Sequence, residues 1–137
     1  MATSEGIKLL GELKARAADV AIFGTFNVNF DFFEQVVMRA LQSKGCHHQV
    51  LLMDALQCAE AINDPELAPK RAGSEYCLVP VRAAGAFHPK FVLLVGRHQT
   101  RLYIGSHNLT LSGFGLNREV SNVLVARPDD GSRALVA

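Results

Sequence analysis

Val20-Ala21-Ile22-Phe23-Gly24-Thr25-Phe26 is a short apolar run rich in strand formers, and Gln49-Val50-Leu51-Leu52-Met53 is a second run of the same kind. Between them Phe33, Val36, Val37, Ala40 and Leu41 recur at the i, i+3, i+4, i+7, i+8 spacing of one buried helix face. Asn29 stands where a helix cap belongs and Gly45 where a helix ends. Strand, helix, strand in this order predicts a right-handed crossover between parallel strands, and hence an α/β fold.

Toward the N-terminus, Ser4 is placed to cap a first helix with Ile7, Leu10, Leu13 and Ala17 on its apolar face. Lys14 and Arg16 lie near the end of this helix, which is expected to stop near Asp19. Toward the C-terminus, 55–62 reads as a short helix. The segment 63–74, with Pro65, Pro69, Lys70, Arg71 and Gly73, reads as a surface loop. Strand-like runs follow at 76–81, 87–95 and 101–105, the last two joined as a hairpin by Gly96-Arg97-His98-Gln99, and a final strand is expected at 119–125. Ser132 reads as another helix cap, ahead of Ala134, Leu135 and Val136. The expectation is one domain over 1–137 that forms the N-terminal part of a longer protein.

The chain has 137 residues, 49% of them hydrophobic and 20% charged, which suits one globular domain able to close a core without disulfides or structural metal. No apolar run approaches the ~18–20 residues of a membrane span, and Glu5, Lys8 and Glu12 interrupt the region where a signal peptide would be apolar. A cytoplasmic protein with no membrane partner is expected. Cys46, Cys58 and Cys77 form no CxxC pair, so reduced, buried thiols are expected rather than a disulfide framework. Cys46, His47 and His48 do not suit zinc, because neighbours on a strand point to opposite faces. The net charge of +1 gives no general sign of a nucleic-acid binder, so any such partner has to be argued from a local site.

His88 and Lys90 supply that local argument. They stand two apart at the head of the apolar run Phe91-Val92-Leu93-Leu94-Val95, and on a strand they project from one face. A strand apolar on both faces belongs in the middle of a sheet, where a buried ammonium calls for a bound phosphate or carboxylate. Pro89 has no N–H and marks a place where the sheet ladder is open. Gly105-Ser106-His107-Asn108 then sets small and amide side chains at a strand end, where they and backbone N–H groups can converge on an anion. Glu119 follows, eleven residues beyond Asn108.

This order of His-x-Lys, Gly-Ser-x-Asn and Glu resembles the phospholipase D superfamily. More narrowly it resembles a branch of metal-independent nucleases in which His-x-Lys, Asn and Glu replace His-x-Lys-x4-Asp; Val95 stands here at the Asp position. The similarity is close over 86–125 and loose over the first two strands and their helix. It implies a phospholipase D-like mixed sheet with helices on both faces, and a metal-independent phosphodiesterase, foremost a nuclease, that needs no cofactor. His88 is then implied as the nucleophile that forms a phosphohistidine, and Glu119 as the acceptor that fixes its tautomer. Lys90 and Asn108 are implied as holders of the non-bridging oxygens, with Ser106 as a further donor.

A second imidazole has to protonate the leaving group, and the chain holds one His-x-Lys. The resemblance therefore implies a homodimer in which His88 of each subunit faces a shared cleft, or a second motif beyond Ala137. Arg97, Arg101 and Arg118 flank the site segments in sequence and are candidates for a phosphate-binding rim, with ordinary solvated arginine the even alternative. His98 and His107 read as turn residues. The absence of Gly-x-Ser-x-Gly argues against a serine hydrolase, and the absence of a basic amphipathic helix argues against a lipid substrate. The competing reading is a non-catalytic phosphate-binding or dimerisation module of a larger defence or restriction-type protein.

Overall fold

The computed structural model describes residues 9–105 and 122–127. The elements run α1 (Leu9–Ala15), β1 (Val20–Thr25), α2 (Phe30–Phe32), a π-helical segment (Phe33–Val37), α3 (Met38–Gln42), β2 (His48–Asp54) and α4 (Ala55–Ile62). Then come β3 (Cys77–Val81), β4 (Phe91–Val95), β5 (Thr100–Ile104) and β6 (Asn122–Ala126). The six strands form one sheet in the order β3-β2-β1-β4-β5-β6. β1 pairs in parallel with β2, and β2 with β3, while the β1–β4, β4–β5 and β5–β6 pairs are antiparallel. The parallel crossover expected from the first two strands is present, within a mixed α/β sheet.

The helix between those strands starts as its sequence indicates. Asn29 Oδ1 accepts the Phe32 N–H at 2.9 Å, and Gly45 closes the turn after α3 at a φ of +87°, a conformation open to glycine. Its middle differs from the simple periodic pattern. The π-helical segment adds a residue to the turn and rotates the buried face, so Phe33, Glu34, Val37, Met38 and Leu41 point inward while Val36 and Ala40 are half-buried. Glu34 is thereby drawn inside, 3% exposed. It accepts the backbone N–H of Lys70 and of Arg71, each as close as 3.0 Å, and the Tyr76 hydroxyl at 2.8 Å. Three donors offset the desolvation of the carboxylate, and the loop ahead of β3 is tied down by them.

The core lies on one face of the sheet. Ala21 and Phe23 of β1, Leu51 and Met53 of β2, Val92 and Leu94 of β4 and Tyr103 of β5 are all buried and fall in register on that face. The Phe23 ring meets the Phe33 ring edge-on at 5.3 Å between centroids, and Phe33 meets Tyr76 at 5.0 Å. Gln49 donates to the carbonyls of Met38 and Cys46, and the Tyr103 hydroxyl donates to Glu12 of α1 at 3.4 Å. Cys58 of α4 joins the same cluster. Of the helices expected on both faces, those described cover this one. The opposite face carries Ile22, Leu52, Phe91, Leu93 and Leu102, all half-buried, with Ile104 and Leu124 42% and 45% exposed.

Several boundaries shift. α1 stops at Ala15 rather than near Asp19, because the Asp19 N–H is taken by the Val95 carbonyl at 2.8 Å as the chain enters the sheet. β4 begins at Phe91 rather than at 87, since Pro89 cannot donate to a ladder. Cys46 and Cys58 are buried, and burial pushes both thiols up in pKa. Cys77, expected to be buried, is exposed because β3 is an edge strand. That edge also accommodates Pro80. Ser4, Ser132 and the 119–121 part of the last expected strand lie outside the described residues.

Candidate active site

β4 is seated by a glycine. Gly24 of β1 pairs with Phe91, and a Cβ at position 24 would overlap the Phe91 ring. Gly105 N donates to the Lys90 carbonyl at 3.1 Å, which carries the β4–β5 pairing one step past the strand. His88 and Lys90 therefore sit just outside the ladder, at the end of the sheet where β1 and β2 finish. At this end β1 lies between a parallel and an antiparallel neighbour, a change of strand direction of the kind that leaves open crevices for ligands in α/β sheets.

His88 is exposed and its ring lies against the ring of Phe26, the residue after β1, at 4.5 Å between centroids and 31° between planes. Lys90 Nζ meets His88 Nδ1 at 2.8 Å. When Lys90 is charged, its ammonium donates to Nδ1. Burial holds the Lys90 ammonium below the usual lysine pKa range. The sequence pointed to a deeply buried ammonium. Instead Lys90 is half-buried beside an exposed histidine, because both precede the strand instead of lying within it.

Asp54 supports this corner from beneath. It ends β2 and caps α4, its Oδ2 accepting the Gln57 N–H at 3.1 Å, while its Oδ1 accepts the N–H of Phe87 at 2.9 Å. These donors, Phe87 first, hold the carboxyl below the usual carboxylate range. A cavity of ≈ 530 Å³ opens beside the pair, lined by His88, Pro89, Lys90, Phe91, Leu102, Ile104 and Gly105. A second hollow of ≈ 500 Å³, lined in part by Asp31, Glu60, Asp64 and Glu66, is acidic and repels phosphate. Among the described residues no three His, Cys, Asp or Glu side chains cluster as metal ligands.

Of the eight candidate residues, His88 and Lys90 are brought together. Arg97 is not with them: it lies beyond the far end of β4, so the whole five-residue strand, about 17 Å, stands between it and Lys90. Arg101 lies opposite Leu94 on the helix-covered face, beside Tyr103 and away from His88. Ser106, Asn108, Arg118 and Glu119 lie outside the described residues. The chain on either side of them is informative all the same. Gly105 bonds to Lys90, and Asn122 pairs with Ile104, so these two described residues lie at the end of the sheet that bears His88. Sequence reasoning gave Phe26 and Asp54 no role. The one signal for Asp54 was its place before Ala55, where a helix cap belongs.

Two solved structures share this fold. NucT from Helicobacter pylori aligns with a TM-score of 0.50 at 14% identity, over 93% of this chain and 79% of that one. Nuc from Salmonella typhimurium, a phospholipase D family member, aligns with a TM-score of 0.51 at 15% identity, over 93% and 79%. No family model matches the sequence, and no curated protein matches it. The likeness is one of fold, a mixed sheet with helices like that of these two proteins.

Proposed function

We propose that this domain is a metal-independent phosphodiesterase, foremost a nuclease, working through a phosphohistidine on His88. The observation that carries the reading is the meeting of His88 and Lys90 at 2.8 Å on the open end of a phospholipase D-like sheet. The lone pair of one His88 ring nitrogen attacks phosphorus, a P–N bond forms, and the bond to the leaving oxygen breaks. A proton passes to that oxygen from a second imidazolium. Water then attacks phosphorus, gives its proton back to that second imidazole, and the P–N bond is cleaved. Both histidines are thus restored.

Glu119 takes a hydrogen bond from the other ring nitrogen of His88 and stabilises the positive charge that develops there. Lys90 and Asn108 neutralise the non-bridging oxygens, with Ser106 as an added donor. In the free site Lys90 meets Nδ1; with a phosphodiester bound it turns to the phosphate, the ring takes the tautomer with its proton on Nδ1, which donates to Glu119, and Nε2 carries the attacking lone pair. The second imidazole is His88 of the partner subunit in a homodimer built across the site, since residues 1–137 carry one His-x-Lys. A nucleic-acid backbone is the substrate that presents such phosphodiesters to an exposed, rim-like site.

Incubation of the purified protein with a generic aryl phosphodiester in excess EDTA tests this reading. Turnover that survives chelation, with an acid-labile phosphoryl adduct on His88 trapped by rapid quench, is the expected result. Activity lost on chelation and restored by a divalent metal overturns it. Phosphate binding without turnover transfers the domain to the non-catalytic class. Sedimentation is expected to give a dimer at concentrations where the enzyme is active.

A further inference from the structure

We propose that Asp54 is a positioning residue for His88, acting through the backbone N–H of Phe87; this rests on the reading of His88 as nucleophile. The run 82–86 leading to His88 is exposed throughout, and Pro89 just after it cannot donate to the sheet. Phe87 N to Asp54 Oδ1 at 2.9 Å is thus the hydrogen bond that holds the chain immediately before the imidazole. Phe26 packs against one face of the ring and Lys90 Nζ meets its Nδ1, so the ring's own contacts set its tilt and rotation. The tether sets where the backbone that carries the ring stands, and with it the position of the ring nitrogen.

Asp54 is well suited to be a fixed anchor. It is 6% exposed, it closes a strand of the central sheet, and its second oxygen is bound by the first turn of α4. A carboxylate is needed because two donors arrive from different elements and each takes its own oxygen. An alanine at this place would leave both donors without a partner. A serine would still cap α4 with its one hydroxyl and would release Phe87. The two substitutions separate stability from positioning.

Asp54→Ser is expected to keep the melting temperature near that of the parent protein, to lower kcat about 10- to 100-fold, and to leave KM within about two-fold, since a displaced nucleophile slows the chemical step and spares phosphate binding. Asp54→Ala is expected to show the same kcat loss together with a lower melting temperature. Amide hydrogen exchange reads the tether directly: in Asp54→Ser the Phe87 amide exchanges at least ten-fold faster while the Gln57 amide stays protected. Parental kcat in Asp54→Ser, or an undisturbed Phe87 amide, overturns the proposal and leaves Asp54 as a helix cap alone. His88→Ala is run beside them. Full turnover in that variant overturns the active-site reading itself, whatever Asp54 does.

Discussion

Glu34 and Asp54 are both buried carboxylates that accept backbone N–H groups from loops far along the chain, 36 and 33 residues away. Glu34 gathers three donors, two amides and the Tyr76 hydroxyl, and secures a loop in which none of the candidate site residues lies. Asp54 gathers two, one from its own helix and one from the residue before His88. The same chemical device ties down a loop in one place and, as proposed above, the site in the other. The number of stranded donors governs how much stability depends on each carboxylate, while the residue next to the tethered amide governs whether activity depends on it.

The contrast is sharpest at His88 itself. His88→Ala is expected to remove turnover and the phosphoryl adduct completely while leaving the unfolding midpoint unchanged, because the side chain is exposed. Glu119→Gln should bind substrate and turn over far more slowly, as a neutral amide stabilises the imidazolium poorly. Steady-state kinetics and denaturant melts on the same preparations check both. An equal loss of turnover from a substitution in the 63–76 loop would break the distinction between the two regions.

Glu34→Ala is expected to show the reverse profile. It leaves three donors without their acceptor and should cost about 3–5 kcal/mol of stability in urea unfolding, with turnover per folded molecule retained. Tyr76→Phe removes one of those contacts and should cost about 1 kcal/mol. Burial and the Glu34 carboxylate push the Tyr76 phenol up in pKa, so its hydroxyl stays protonated and remains the donor of this pair at every working pH.

The smallest expected effect is in acid. The Asp54 carboxyl is held below its unfolded value of about 4, so its contribution to stability is complete above that value and is lost as pH falls through the lower folded one. The stability difference between the parent protein and Asp54→Ala should therefore be constant from neutral pH down to about pH 4 and shrink below it. Urea midpoints between roughly pH 2 and 7 check the sign; a gap that widens in acid would contradict the tether as drawn.

Much of the architecture was legible before folding was considered. Asn29 and Gly45 delimited the first crossover, the apolar runs marked β1, β2 and the β4–β5 hairpin, and His-x-Lys pointed to one end of a strand. The π-helical segment was not legible. A period of 3.6 placed Val36 and Ala40 on the buried face, and the extra residue turned Glu34 inward because three donors 36 to 42 residues away were waiting for it. The placement of two of the arginines was not legible for a related reason. Arg97 and Arg101 are near the site segments in sequence, yet one hairpin arm carries Arg97 the length of a strand away, and Arg101 pairs with Leu94, four residues along the chain from Lys90.

By itself, then, the sequence determined what depends on neighbours a few residues apart: caps, periodicity, turns and the pairing of His88 with Lys90. Tertiary structure alone decided where β4 starts against Gly24, which carboxylates are enclosed, and that Asp54 and Phe26 meet the chain around His88. Those contacts join residues 33 to 67 positions apart, as from Asp54 to Phe87 and from Gly24 to Phe91, and no local preference encodes them. They come into being when parallel β1 and β2 and antiparallel β4 bring their ends to one edge of the sheet, where backbone donors taken from water have to find acceptors.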